Sequence, residues 1–179
     1  MKTRSGVTLL IVWTSSIAPA FAQDGAMVMQ APVAITSLDQ LVGLSGAELD
    51  QIYRQGAMAG APTGRVQGVA LYPDTRLGRS RSKATKLVWQ GKIFQPETST
   101  AINKFFGLRV IKGDVYAGQS WLDGGPALIL DYQQTSRLYR PYRDEIRQVG
   151  PGIYLGLMHE RTEPSPTFKM YFALDANVK

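Results

Sequence analysis

The chain has 179 residues, 44% of them hydrophobic, and 20 Lys and Arg against 14 Asp and Glu give it a net charge of +6. It has no cysteine and a single histidine, which excludes thiol catalysis, disulfides, lipid attachment through an N-terminal cysteine, and Cys- or multi-His metal centres. Core burial alone must hold the domain together, and the length suits one domain. No acidic loop has calcium-type spacing, so no metal ligand and no cofactor is assigned.

The N-terminus reads MKTRSGVTLLIVWTSSIAPAFAQ. Lys2 and Arg4 precede a short apolar run from Val7 to Ile17, and Ala20-Phe21-Ala22 supplies the small-x-small pattern of a cleavage site. Thr14, Ser15 and Ser16 break the run, which is short for a membrane span. The spacing predicts a signal peptide over residues 1–22, cut between Ala22 and Gln23, and a periplasmic or secreted protein. Residues 23–43 show no sustained period and read as a loosely docked leader arm.

LSGAELDQIYRQG (44–56) predicts a helix. Ser45 and Glu48 have the spacing of a capping box, and Leu44 and Leu49 that of a hydrophobic staple. Leu49, Ile52 and Tyr53 make the buried stripe, and Gly56 stands where a left-handed end residue is wanted. VQGVALY (66–72) reads as a strand. The basic residues Arg76, Arg79, Arg81, Lys83 and Lys86 follow; they read first as a solvated face and second as a patch for phosphate or an anionic membrane surface. Nucleic acid is not expected, because export separates the chain from it and no aromatics interleave the charges. KATKLVWQGKIF (83–94) suits either a helix end or a strand. ETSTAINKFFG (97–107) predicts a second short helix, capped by Ser99 or Thr100, with Ile102, Phe105 and Phe106 buried.

From residue 108 onward short β-type runs alternate with turn signals: 108–122, 127–132, 137–149, 153–159 and 167–175. Short connections without helices imply antiparallel pairing. The expected fold is therefore mainly β, an antiparallel meander closing into a small barrel with short N-terminal helices. Closure removes exposed strand edges.

RDEIRQVGPGIYLG (143–156) poses a question of register. A tight type II turn at Gly150-Pro151-Gly152-Ile153 would set Ile146 opposite Leu157 and Asp144 opposite His159. Asp144 and His159 would then share the interior face with Leu155 and Leu157, an arrangement suited to acid–base catalysis. Arg143, Glu145 and Arg147 would lie outside. A three-residue loop pairs Val149 with Ile153 and moves Arg143, Glu145 and Arg147 onto the face of Leu155, Leu157 and His159. There they would form a charge-paired wall for a headgroup. The tight turn is preferred.

Trp89, Trp121, Tyr116, Tyr132, Tyr139, Tyr142, Tyr154 and Tyr171 supply rings for core or for a pocket. Trp121, Tyr132 and Tyr154, with Arg143 and Glu145, are the candidate ligand-binding residues. Asp131, at the end of ALILDY, reads as a strand-end residue facing water. No G-x-S-x-G elbow, P-loop or dinucleotide fingerprint occurs.

DGGPALILDY, RDEIRQVGPGIYLG and FALD, with LVWQGKIF and INKFFGLRV before them, resemble a group of exported bacterial proteins over roughly residues 44–175. The resemblance implies a compact domain and assigns no catalytic residue. In outline the meander is also similar to lipocalin-like (calycin) barrels, without the G-x-W those proteins carry near their first strand. Together these readings lead to an exported monomer that holds a small hydrophobic or amphipathic ligand, such as a lipid or fatty acid, in a barrel. The alternatives are an enzyme (hydrolase, isomerase or cyclase) using Asp144 and His159, and an envelope interaction module.

Overall fold

The computed structural model describes residues 34–178. The signal peptide expected over 1–22 lies outside them, as does the leader arm up to residue 33. Eight strands form the fold: β1 (Gly64–Leu71), β2 (Trp89–Gln95), β3 (Thr100–Phe105), β4 (Leu108–Gln119), β5 (Pro126–Asp131), β6 (Tyr142–Gly150), β7 (Ile153–Glu160) and β8 (Thr167–Asp175). Each pairs antiparallel with the next, and β8 returns to β1, closing the barrel in simple chain order. Two helices accompany the strands, α1 (Gly46–Gln55) and α2 (Gly78–Val88).

α1 begins as its sequence dictates. The Ser45 hydroxyl accepts from the Glu48 N–H at 3.3 Å, and the Glu48 carboxylate accepts from the Ser45 N–H at 2.7 Å. Leu49 and Tyr53 form its buried face. Gly56 is not left-handed, with φ −67°. Its lack of a Cβ eases a close approach, because a Cβ there would sit 3.0 Å from Arg147 Cβ and 3.1 Å from the Gln148 carbonyl oxygen.

Residues 83–94 contain both elements that their pattern allowed, with α2 ending at Val88 and β2 starting at Trp89. Residues 97–107 are not a helix. A 3₁₀ turn over Pro96–Thr98 leads into strand β3, which pairs with β2 and β4. The aromatic stripe is not buried as expected, since Phe106 is 71% exposed at the turn between β3 and β4. Local periodicity lost to pairing here, because a helix would have left edges open on both neighbours.

Two apolar cores share the barrel wall. Inside, Val66, Phe94, Leu128, Leu130, Ile146, Tyr154 and Leu174 fill one end, and Ala59 and Ala61 pack against them. A backbone bridge between Ala57 and Gln148 ties that segment across the end. Outside, Leu38, Leu41, Val42, Leu49 and Tyr53 cover Val69, Leu71, Leu155, Leu157, Tyr171 and Ala173. Residues 38–42, expected in a loose arm, are thus part of the core. Two-sided burial explains why β7 reads as an almost continuous apolar run instead of alternating.

Candidate functional site

Opposite the packed end, three strands and the residue that follows a fourth bring polar side chains together inside the barrel. Lys92 (β2), Asn103 (β3), Asp144 (β6) and Tyr132, just past β5, are all buried. The Lys92 ammonium donates to Asn103 Oδ1 at 2.7 Å, Tyr132 Oη at 2.8 Å and Asp144 Oδ2 at 2.8 Å. Three acceptors use its three protons. Tyr132 donates to Asp144 Oδ2 at 2.6 Å and accepts from Asn103 Nδ2 at 3.1 Å. The Trp89 indole N–H donates to Asn103 Oδ1 at 3.1 Å. Lys92 Nζ also lies 5.2 Å from the centre of the Phe172 ring and 5.5 Å from that of Trp89, within cation–π range.

Burial pulls the Lys92 ammonium below its ordinary pKa, and the Asp144 carboxylate opposes that fall. Burial, then the same carboxylate, pushes the Tyr132 phenol well above its ordinary value. Tyr132 therefore remains a neutral donor at any ordinary pH. Both side-chain bonds to Asp144 end on Oδ2, and Oδ1 accepts no side-chain bond among the described residues.

Above this cluster lies a cavity of about 270 Å³. Trp89, Phe105, Tyr139, Met158, Met170 and Phe172 make most of its wall, Lys92, Asn103, Tyr132 and Asp144 its polar floor, and Thr85 and Val88 of α2 frame its mouth. Glycine placement sets this shape. A Cβ on Gly156 would collide with the Phe172 ring, and one on Gly113 would stand 2.8 Å from Tyr132. Both rings therefore approach the backbone of the wall directly.

The 143–156 hairpin corrects the preferred register. Arg143 pairs with His159, Glu145 with Leu157 and Arg147 with Leu155, after a bulge between Gln148 and Gly150. The tight turn itself forms, with Gly150 opposite Ile153 and Gly152 at φ 68°, but beyond it the pairings are those the longer loop would give. The bulge places an extra residue, Val149, on β6 and shifts every partner by one. Asp144 still points inward, and Arg143, Glu145 and Arg147 point outward. His159 goes with them and away from Asp144, so the two expected acid–base partners occupy opposite faces of the wall. Apolarity could not indicate which side is inside, because α1 buries the outer face as well.

The outer row is not wet. Glu145 is fully buried, accepting from the Ser120 hydroxyl at 2.5 Å, the Trp121 N–H at 2.8 Å and Arg143 at 3.0 Å. Arg143 stacks over the Trp121 ring at 4.2 Å and donates to the Gln119 carbonyl at 2.6 Å. Arg147 makes two bonds to Asp123, at 2.8 and 2.6 Å, and reaches the Tyr53 and Pro126 carbonyls. The row thus fastens the 120–125 loop and the end of α1 to the barrel. His159 lies between Trp121 and Phe168, with its Nδ1 buried and unpartnered. Asp131 ends its strand as expected, but instead of facing water its carboxylate is mostly covered, accepting from Tyr116 at 2.9 Å and paired with Arg161 at 2.7 Å.

Of the expected ligand-binding residues, Tyr132 lines the cavity. Tyr154 lies in the packed end of the interior, and Arg143, Glu145 and Trp121 lie on the outer wall. Lys92 and Asn103 were missed. Lys92 stands two residues before buried Phe94 in a strand, an alternation that places a lysine on an apolar face. The helical reading of 97–107 concealed the same alternation at Ala101, Asn103 and Phe105.

The class defined by these features is an eight-stranded antiparallel barrel, closed at one end and holding a small aromatic-walled cavity at the other. No family model matches the chain, and no curated protein matches it. The chain is similar to the crystal structure of a protein from Thermomonospora curvata, at 18% sequence identity and a TM-score of 0.47, over 76% of this chain and 90% of that one.

Proposed function

We propose that the protein binds a small, largely apolar molecule in the barrel-mouth cavity, oriented by a neutral hydroxyl or amino group donating to Asp144. The observation that carries this reading is the polar floor. It is satisfied internally except for Asp144 Oδ1, which is an acceptor. Lys92 has no proton left for an anionic ligand, and the Lys92–Asp144 pair is neutral as a unit, so a fatty-acid carboxylate suits the site less well than an alcohol, phenol or amine. Size points the same way. A dry cavity of about 150 Å³ holds benzene, so the space here matches a compact ligand of about two rings more closely than a long acyl chain. The aromatic wall provides stacking and edge contacts for flat ligands. Export, expected from residues 1–22, would place this activity in the cell envelope or outside it.

Native mass spectrometry of protein purified gently from its host tests the reading. A reproducible bound molecule carrying a hydroxyl or amine is expected, and its loss in Thr85→Trp, which fills the mouth from α2. A wild-type protein that is always empty, and that also ignores alcohols, phenols and amines added in excess, would contradict it.

A further inference from the structure

One side of the cavity mouth carries a surface that ligand binding alone does not require. Leu87 is 76%, Val88 40%, Phe106 71% and Leu108 66% exposed. They form one edge, because the Phe106 N–H donates to the Val88 carbonyl at 2.8 Å and so joins the end of α2 to the tip of the β3–β4 turn. Single exposed apolar residues need no explanation, but a contiguous group does. Around it stand Lys83 and Lys86 on α2 and Arg109 and Lys112 on β4, all exposed, with Lys104 half-buried on β3. Exposed Arg79, at the start of α2, lies beside Gly43 in a hollow shared with Glu48 and Asp74. No acidic residue occurs over 75–95 or 98–112. None of these six basic residues forms an ion pair among the described residues. α2 buries Gly78 and Ser82 on its inner side, while Arg79, Lys83 and Leu87 follow one another at four-residue spacing along its outer side.

We infer that this rim docks on the surface of an anionic lipid bilayer, with Leu87, Val88, Phe106 and Leu108 entering the headgroup region and the basic residues pairing with lipid phosphates. Charge complementarity selects this occupant. The α2 and β3–β4 side of the mouth carries only positive charge, the acidic residues of this barrel end (Asp74, Glu160 and Glu163) lying after β1 and at the β7–β8 connection. Unpaired lysine and arginine beside projecting apolar tips is the pattern that binds anionic interfaces. The tips project, which a fluid interface accommodates without a matching pocket. Docking would set the open end of the cavity against the bilayer, yet it does not depend on what the cavity holds.

Cosedimentation of the full chain with phosphatidylcholine vesicles, with and without phosphatidylglycerol, at low salt tests the inference. The wild-type protein is expected to bind the anionic vesicles. The triple variant Arg79→Glu/Lys83→Glu/Lys86→Glu and the pair Phe106→Ser/Leu108→Ser should each lose about tenfold or more of that binding. All the variants share the same N-terminal segment, so the difference belongs to the rim. Unchanged circular dichroism and melting temperature establish that the variants fold. Equal binding to neutral vesicles, wild-type binding by either variant, or no vesicle binding at all overturns the inference. The last case includes a rim that retains a protein partner instead.

Discussion

Lys92 Nζ and Asp144 Oδ2 lie 2.8 Å apart inside the barrel, with both side chains almost wholly shielded from water. β2 and β6 do not pair with each other, so this contact crosses the interior and joins opposite walls. Removing one member of such a pair strands the other as a buried charge, and the cost is about 3–5 kcal/mol. Lys92→Met should therefore lower the stability to denaturant by about that amount. The double variant Lys92→Met/Asp144→Leu, which removes both charges, should recover most of the loss. Equal destabilisation of the single and double variants would show that the pair is not coupled.

His159 gives a signature on the acid side. Burial lowers its pKa below the ordinary value, chiefly by desolvation of the charged ring, with Glu145 opposing. The unfolded chain then binds the proton more readily, so stability is full above about pH 6.5 and falls as pH drops through the lowered folded value. His159→Phe keeps the ring contacts to Trp121 and Phe168 and removes the unpartnered Nδ1. Its stability at neutral pH should equal or exceed wild type by about 1 kcal/mol. Denaturation midpoints between pH 7 and pH 5 should be flatter than those of the wild-type protein.

The Arg147–Asp123 fork acts at lower pH. Hydrogen bonding from Arg147 holds the Asp123 carboxyl below its ordinary range. Its contribution is present above about pH 4 and is lost as pH falls through the depressed folded value. Asp123→Asn should cost about 1–3 kcal/mol at neutral pH. It should also speed amide exchange in the 120–125 loop and at the end of α1, where Arg147 bonds the Tyr53 carbonyl. Exchange unchanged in both segments would show that the fork does not fasten them.

Gly156 sits opposite Ile146 on the inner wall, beneath the Phe172 ring. Gly156→Ala forces that ring into the cavity. The expected loss is about 1–3 kcal/mol of stability, together with weaker ligand binding. A crystal structure of the variant with Phe172 unmoved would refute the packing argument.

The barrel class was legible because five runs after residue 108 carry strand chemistry between turn signals, and α1 because Ser45, Glu48, Leu49 and Tyr53 agree at every level. β3 was hidden because Ile102, Phe105 and Phe106 also fit a helical stripe, and nothing local reveals that β2 and β4 both need a partner. The hairpin register turned on one residue, Val149. The tight Gly-Pro-Gly turn was legible, but the bulge beside it has no local signature of its own. The inward direction of Asp144 was read correctly, but its partners come from β2, β3 and the end of β5. Lys92 lies 52 residues away in the chain. A network built by closure of the barrel leaves only a weak trace in any one segment, here a lysine and an asparagine on alternating apolar faces.

Calorimetric titration with 1-naphthol, naphthalene and 1-naphthoate tests the central claim most directly. These probes match the two-ring size and differ only at the polar group. Wild-type protein is expected to bind 1-naphthol about tenfold or more tighter than either of the others, as one hydrogen bond to a charged acceptor allows. In Lys92→Met/Asp144→Leu that preference should disappear while naphthalene binding persists. Tighter binding of naphthoate, a preference unchanged in the double variant, or no binding of any probe would contradict the account.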